Sequence, residues 1–162
     1  MQRIPGLSQL PRVPRVPRHV ARAPVPLYLR GLGLVLGQRL VAVEYRARLT
    51  GRVKQVVLEV AGGEPGRILV ISGHGPKAAW YRGIEAEPRV LLTMGSLRDA
   101  AATARPLNRD ETLDELERFR ERKAAAAFAR AFGVPALTAG GPLDPALAVR
   151  LPMVEFTPRA GT

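Results

Sequence analysis

The sequence predicts a small β-barrel of the α+β class, with five to six mostly antiparallel strands and helices at its edges. Short apolar runs rich in β-branched residues recur between residues 40 and 156, and turns rich in glycine and proline separate them. Strands and helices do not alternate regularly, as they would in a parallel sheet. The chain has 162 residues, enough for one domain with a hydrophobic core.

The first two strands are predicted at residues 40–47 and 54–61, the segment between them holds Thr50 and Gly51, and a turn is predicted at residues 61–66. Two β-rich runs joined by a short segment with a glycine are typical of a hairpin. No acid occurs from residue 46 to residue 55, where the cations are Arg46, Arg48, Arg52 and Lys54. Because glycine lets an anion approach the backbone, this hairpin is a candidate phosphate site. A solvated basic turn is the alternative.

A second candidate site follows the strand predicted at residues 67–72, which is apolar without alternation and is therefore expected to be buried on both faces. Residues 73–77 read Gly-His-Gly-Pro-Lys and lead into a short helix predicted at residues 77–86. Pro76 suits the first turn of that helix, and Gly75 before it leaves backbone N–H groups accessible to an anion. His74 is expected to be a surface histidine.

Trp80, the single tryptophan, lies on this predicted helix. We expect it to be a packing anchor, with stacking on a cofactor as the alternative. Two further strands are predicted at residues 89–94 and 97–104, joined by the pair Gly95-Ser96.

The clearest helix begins after Asn108, which stands three residues before Glu111 as in a capping box. Gly133 and Pro135 are expected to end it. Its buried stripe is predicted to consist of Leu113, Leu116, Phe119, Phe128 and Phe132. The sequence then predicts a loop at residues 138–145, a helical turn at residues 145–150 and a last strand at residues 153–156.

Residues 1–25 form a segment rich in proline and arginine with no apolar periodicity, and we predict a disordered tail there. A short helix is predicted at residues 26–37. Six arginines and no acid occur in residues 1–30, and the whole chain has a net charge of +11. This charge favours anionic partners, so peripheral contact of the tail with a membrane stays open. Nucleic acid is not expected, because no run of stacking aromatics accompanies the basic residues.

The composition excludes several classes of site. The chain has no cysteine and only two histidines, which excludes cysteine-ligated and histidine-rich metal sites and argues against a Ser-His-Asp triad. No apolar run approaches the ~20 residues needed to span a bilayer, and prolines and arginines interrupt any signal peptide. We therefore expect a cytoplasmic protein, with a peripheral position at the inner face of the membrane as the open alternative.

Residues 47–58, Ala-Arg-Leu-Thr-Gly-Arg-Val-Lys-Gln-Val-Val-Leu, resemble the Gly-Arg-x-Ser-Gly-x-x-Arg-x-Thr-x-Leu signature of the deazaflavin-dependent nitroreductase and quinone reductase family. The similarity continues through residues 72–84, 87–90 and 151–158, so it covers roughly residues 26–159. The resemblance implies a split β-barrel of the FMN-binding superfamily, with residues 26–159 as a deazaflavin-binding domain.

The resemblance also implies a binding site for the deazaflavin coenzyme F-420, with FMN as the alternative cofactor. Its predicted residues are Arg48, Thr50, Gly51, Arg52, Lys54, Gly75, Pro76, Lys77 and Trp80. The coenzyme carries a phosphodiester and an acidic tail, so cations and backbone donors suit it. No catalytic residue is predicted, because the hydride transfer is chemistry of the coenzyme.

The implied activity is hydride transfer from reduced coenzyme F-420 to an apolar acceptor such as a quinone, with nitro compounds and enones as further candidates. The alternative is a non-catalytic protein of the same fold that holds a deazaflavin, a flavin or a lipid-like molecule. A homodimer stays open. Leu27, Tyr28 and the loop at residues 136–150 are expected to form the wall beside the acceptor.

Several departures from the family pattern bear on these expectations. Leu49 stands where many relatives carry a lysine, and Lys54 replaces an arginine and so loses the bidentate fork. Gly83 replaces the usual asparagine, and Ala47 replaces the first glycine of the signature. Reductases of the family that act on nitro compounds have tyrosines in the loop that corresponds to residues 136–150, and this chain has none there. We therefore expect quinones to be better acceptors than nitro compounds.

Overall fold

The computed structural model describes residues 40–64, 66–94 and 97–160, and within them six strands close into an antiparallel barrel with the order β1-β2-β3-β6-β5-β4. The strands are β1 (Leu40–Arg46), β2 (Val53–Glu64), β3 (Arg67–Ile71), β4 (Arg89–Met94), β5 (Leu97–Pro106) and β6 (Met153–Pro158). The predicted α+β barrel with flanking helices is thereby confirmed. The tail predicted at residues 1–25, the helix predicted at residues 26–37 and the Gly95-Ser96 turn lie outside the described residues.

The helical segments of the described residues occur in two connections, β3–β4 and β5–β6. They are a 3₁₀ turn (Gly75–Lys77) and α1 (Ala79–Ala86) in the first connection, and α2 (Arg109–Arg120), α3 (Ala124–Phe132), a 3₁₀ turn (Pro135–Leu137) and α4 (Leu147–Arg150) in the second. Because neighbouring strands are antiparallel, both connections and the β1–β2 turn leave the barrel at the same end. We call it the helix end.

Two hydrophobic cores meet at β3, whose side chains point alternately to either side. Val70 lies in the barrel core, together with Phe156 of β6 and Ile84 of α1. Leu69 lies in the helix core, which is formed between the outer face of the barrel and helices α2 and α3, together with Phe119. Burial on both faces explains the unbroken apolar run of this strand and confirms the prediction for it.

The single helix predicted after Asn108 is two helices, α2 and α3, separated by residues 121–123. The predicted capping box is present, with the Glu111 N–H donating to Asn108 Oδ1 at 2.9 Å. On one continuous helix Phe119 and Phe128, nine residues apart, would face opposite sides, since each residue turns a helix by ~100°. The break lets both rings enter the helix core, where their centroids lie 5.4 Å apart.

The buried stripe of α2 also differs from the prediction at one position. Thr112 is buried, whereas Leu113, which we predicted there, is only half-buried. The Thr112 hydroxyl donates to the Asn108 carbonyl at 2.7 Å, so the buried polar group has a partner.

Strand β2 is longer than predicted and changes its partner along its length. Residues 53–59 pair with β1 and residues 60–64 pair with β3, with an irregularity between Val60 and Gly62. The turn predicted at residues 61–66 is therefore mostly strand. A Cβ at Gly63 would lie 1.9 Å from the Arg67 carbonyl oxygen, so this glycine serves the close approach of β2 and β3 rather than a turn.

Glu44 of β1 is a buried carboxyl group on the outer face of the barrel. Its neighbours Val43 and Tyr45 belong to the barrel core, so Glu44 points to the other side. Glu44 is 2% exposed, its Oε1 accepts a hydrogen bond from Gln55 Nε2 at 2.8 Å, and its Oε2 has no hydrogen-bond partner among the described residues. Burial raises the pKa of this carboxyl, the Gln55 hydrogen bond acts against the rise, and the charge of Asp99 adds to it.

Replacing Glu44 by glutamine is expected to stabilise the protein at alkaline pH but not at acidic pH. A carboxyl whose pKa is higher in the folded state leaves stability unaffected below its unfolded pKa. It destabilises the fold progressively as the pH rises from the unfolded pKa through the folded pKa, because the unfolded chain releases the proton that the buried group keeps. Glu44→Gln keeps an oxygen acceptor for Gln55 and carries no charge. We expect it to melt above the wild type at about pH 8 and close to it at about pH 4, as followed by circular dichroism.

The exposed Glu64 supplies the control for this comparison, since Glu64→Gln removes the same charge from the surface. A difference between Glu44→Gln and the wild type that stays constant over this pH range would contradict the prediction.

Candidate functional site

Hydrogen bonds fix the turn between β1 and β2. The Ala47 N–H donates to the Arg52 carbonyl and the Gly51 N–H donates to the Ala47 carbonyl, both at 2.8 Å. Arg46 Nη1 donates to the Gly51 carbonyl at 2.8 Å, and Thr50 Oγ1 accepts from the Arg52 N–H at 3.2 Å. Gly51 has a φ of 66°, the left-handed conformation that glycine adopts without strain. The side chains of the turn are therefore carried on an ordered backbone.

Three cations of this hairpin are available to a ligand. Arg48, Arg52 and Lys54 are exposed, and none of them forms an ion pair with another residue in the described ranges. Leu49 beside them is 90% exposed. Positive charge without a nearby counter-charge attracts anionic ligands to the hairpin.

The loop between β3 and α1 is compact. Ser72 Oγ donates to the Gly75 carbonyl at 2.6 Å, and the Gly75 N–H donates to the Ser72 carbonyl at 3.0 Å. Pro76 lies in the first turn of the 3₁₀ segment, as predicted for a proline at a helix start. Helix α1 begins after Ala78, whose side chain cannot cap the first N–H groups of α1. The exposed Lys77 stands next to them, and both kinds of group suit an anion.

Two residues that the sequence did not indicate hold this loop against the rest of the protein. Arg150 of α4 donates from Nη1 to the Gly73 carbonyl at 2.6 Å and from Nη2 to the Phe132 carbonyl at 2.9 Å. The Phe132 ring fills the space beside Gly73, where a Cβ would lie 2.3 Å from Phe132 Cε1. His74 is exposed, as predicted, and meets the same ring edge-on, with 5.1 Å between centroids. Arg150 stands 77 residues after Gly73, so no local pattern could have indicated the contact.

Helix α1 connects the two candidate segments. Gly83 of α1 packs directly on β1, because a Cβ there would lie 2.6 Å from Tyr45 Cδ2 and 2.7 Å from the Arg46 carbonyl oxygen. Tyr45 is in turn the cross-strand neighbour of Lys54. The helix thus runs from the loop that carries Lys77 to the base of the hairpin that carries Lys54.

Trp80 lies in the barrel core, where it is 7% exposed and meets the Tyr81 ring edge-on at 5.9 Å between centroids. The expected role as a packing anchor is confirmed. Its contact with a cofactor stays a prediction, and the burial leaves little indole surface for such a contact.

The acid at the C-terminal end of α1 is neutralised by its neighbour. Glu87 accepts hydrogen bonds from Arg89 Nε at 2.8 Å and from Arg89 Nη2 at 2.7 Å. These bonds hold the pKa of the Glu87 carboxyl at about 2, and the charge of Arg46 contributes to the lowering. Glu87 therefore adds no uncompensated negative charge near the base of the hairpin.

The nine predicted site residues all lie at the helix end of the barrel. The hairpin contributes Arg48, Thr50, Gly51, Arg52 and Lys54, and the β3–β4 connection contributes Gly75, Pro76, Lys77 and Trp80. Residues 53–59 of β2 pair with β1 on one side and with no second strand of the described part of the chain on the other. That both groups of residues bind one ligand stays a prediction.

In the ranges that the structure describes, no three acidic or histidine side chains are grouped as metal ligands. None of the helices in those ranges has the length and hydropathy that a membrane crossing requires.

No family model matches the chain, and no curated protein does. Solved structures similar to it include an F420-H2 dependent reductase, FDR-A, at 22% identity over 72% of this chain and 92% of that chain, with a TM-score of 0.48. A pyridoxamine 5'-phosphate oxidase-related, FMN binding protein from Nostoc punctiforme is 15% identical over 85% of this chain and 80% of its own, with a TM-score of 0.49. The heme storage protein HutZ from Vibrio cholerae is 17% identical over 75% of this chain and 82% of its own, with a TM-score of 0.44.

Identities of 22% and below, with TM-scores under 0.5, describe the shape of the barrel and say nothing about what this chain binds.

Proposed function

We propose that this protein binds a deazaflavin coenzyme of the F-420 type at the helix end of its barrel and transfers a hydride from it to an apolar acceptor such as a quinone. One observation supports this most: two elements suited to anions, the hairpin with Lys54 and the loop with Lys77, leave the barrel at the same end and are joined by α1. The resemblance of both segments to the deazaflavin-dependent family supports the same assignment.

The residues at the helix end fit the chemistry of such a coenzyme. Its phosphodiester and acidic tail need cations and N–H donors. Arg48, Arg52 and Lys54 supply exposed cations, and the uncapped first turn of α1 supplies N–H groups. FMN, which carries a phosphate, would meet the same groups and is the alternative cofactor.

Each residue has a distinct part in this assignment. Arg48 and Lys54 hold the anionic portion through charge-assisted hydrogen bonds, and Thr50 adds a hydroxyl donor. Gly75 and Pro76 shape the loop from which Lys77 and the backbone donors reach the ligand. When bound, the reduced coenzyme supplies the hydride. The protein orients the ring against the acceptor and excludes water from the space between them.

Replacing Lys54 by alanine is expected to weaken coenzyme binding by about 1–3 kcal/mol, roughly 5- to 150-fold, the range for losing a charge-assisted hydrogen bond. Lys54 is exposed at the start of β2, so its loss creates no buried cavity and the fold should persist. A fluorescence titration of the purified protein with oxidised F-420, and in parallel with FMN, measures the effect. Higher ionic strength should weaken binding to the wild type in the same titration.

Lys123→Ala serves as the matched control, since it removes the same charge from an exposed position between α2 and α3 and should bind the coenzyme as the wild type does. Equal affinity of Lys54→Ala and the wild type for the coenzyme would show that Lys54 is not part of the binding site. A wild type that binds neither F-420 nor FMN would overturn the proposed function.

A binding protein without turnover is the second candidate, and the loop at residues 136–150 favours it. The loop contains no tyrosine, and its one acid, Asp144, already accepts a hydrogen bond from the Ala146 N–H at 2.8 Å. The loop therefore offers no aromatic hydroxyl to orient or protonate an acceptor. A homodimer and a peripheral contact of residues 1–25 with an anionic membrane stay predictions of the sequence.

A further inference from the structure

The loop at residues 73–77 contains two glycines, so its shape depends on contacts with other parts of the chain. Glycine loses more conformational freedom on ordering than any other residue. The contacts that restrain the loop include the Ser72 hydroxyl on the Gly75 carbonyl, the Phe132 ring beside Gly73, and the Arg150 guanidinium. The Arg150 contact differs from the others because it ties the loop to two separate elements, α3 and α4.

The geometry of Arg150 suits this task. Its two terminal nitrogens bind the Gly73 carbonyl at 2.6 Å and the Phe132 carbonyl at 2.9 Å. A guanidinium holds its donors in a fixed planar fork, whereas a lysine ammonium is a single point charge that cannot hold two oxygens in the same way. Nη1 also lies 3.8 Å from the place where a Gly75 Cβ would be, so the positive charge stands beside the loop.

We propose that Arg150 is a positioning residue that fixes residues 73–77 in the conformation in which the backbone donors and Lys77 meet an anionic ligand. Its fork binds the Gly73 carbonyl oxygen of the loop and the Phe132 carbonyl oxygen of α3, so the loop is tied to that helix. The identity of the ligand, the anionic portion of a deazaflavin, rests on the proposed function. The restraint on the loop is a property of the protein alone and can be measured without any ligand.

Hydrogen–deuterium exchange of the ligand-free protein tests the restraint directly, with Arg150→Lys as the variant because it keeps the charge and loses the fork. The amides of His74, Gly75, Lys77 and Ala78 should exchange at least about tenfold faster than in the wild type, the scale of one lost charge-assisted hydrogen bond. The strands of the barrel should exchange unchanged. Arg130→Lys, at an exposed position of α3, is the control and should match the wild type throughout.

Two results would overturn the proposal. One is unchanged exchange at residues 74–78 in Arg150→Lys. The other is faster exchange in the barrel strands as well, together with a lower melting temperature, which would show a general structural role.

The second readout is affinity for oxidised F-420, which should fall about tenfold in Arg150→Lys and stay constant in Arg130→Lys at temperatures well below melting. Faster loop exchange with unchanged coenzyme affinity would overturn the positioning role. If the wild type binds no F-420, the proposed function fails, and the exchange result alone then decides whether Arg150 fixes the loop.

Discussion

Replacing Gly83 by asparagine, the residue that the resembling family usually has at this place, is expected to lower the free energy of unfolding by about 3 kcal/mol. For a domain of this size that corresponds to a fall in melting temperature of roughly 6–12 °C. The cause is overpacking between α1 and β1. A Cβ at this position would lie 2.6 Å from Tyr45 Cδ2 and 2.7 Å from the Arg46 carbonyl oxygen, and asparagine adds three more heavy atoms. Because one of the two neighbours is backbone, rotating a side chain cannot relieve the clash.

The variant Gly83→Ala tests whether an added side chain at this position destabilises or stabilises the protein. At an unhindered helix position Gly→Ala stabilises a protein by up to about 1 kcal/mol. Gly83→Ala should instead destabilise this protein, since the added Cβ alone already meets Tyr45 and Arg46. Gly62→Ala is the matched control, because its Cβ would lie at an ordinary 3.6 Å from Arg122 Nη2.

Thermal unfolding followed by circular dichroism measures all three variants. A melting temperature of Gly83→Ala at or above that of the wild type would show that α1 does not press on β1 in this way. The assignment of α1 as the link between the hairpin and the loop would fall with it.

Reduced F-420 is expected to pass its hydride to a menadione-type quinone about 10²-fold or more faster than to a nitroimidazole, the scale on which one oriented donor acts in a transition state. Hydride transfer needs the acceptor close to the coenzyme ring, at roughly 3–3.5 Å. A flat apolar quinone needs few oriented hydrogen-bond donors to bind there. The loop at residues 136–150 provides none of the aromatic hydroxyls that a polar nitro group would use. Its Leu143 packs against the helix core and its Thr138 hydroxyl points to the Pro135 carbonyl at 3.5 Å.

A stopped-flow experiment that follows the absorbance of the coenzyme, with each acceptor in excess over enzyme, distinguishes the outcomes. The reaction of coenzyme and acceptor without protein is the baseline, and Lys123→Ala should behave as the wild type. Rapid turnover of the nitroimidazole would contradict the argument from the missing tyrosines. Tight coenzyme binding without turnover of any acceptor would favour the non-catalytic binding protein.

The elements that the sequence predicted correctly are those with local signals. Two examples are the capping box of Asn108 and Glu111 and the unbroken apolar run of β3. In each of them the residues that determine the structure lie within a few positions of one another. The break between α2 and α3 could not be predicted in this way, because residues 121–123 contain no glycine or proline. It follows from tertiary packing, because only two separate helices can bring Phe119 and Phe128 into one core. Gly62 and Gly63 gave a local turn signal, and the turn predicted from it was wrong. These glycines instead lie in β2 where it pairs closely with β3.

The candidate site divides in the same way. The hairpin cations and the loop with Gly75 and Pro76 could be recognised in the sequence because each is contiguous. Arg150 and Phe132 could not, since they reach the loop from distant parts of the chain. The role of Gly83 could not be predicted either, because the sequence does not show which strand packs against this helix position.

The change of partner along β2 has a consequence for the behaviour of the protein in concentrated solution. A strand with an open edge is a template on which a strand of another molecule can add, the usual start of aggregation between sheets. Charged side chains at the margin of a sheet disfavour such addition. Arg52 and Lys54 stand where residues 53–59 of β2 begin, a segment that pairs with β1 alone among the described strands. We therefore expect these cations to oppose edge-to-edge addition of a second copy.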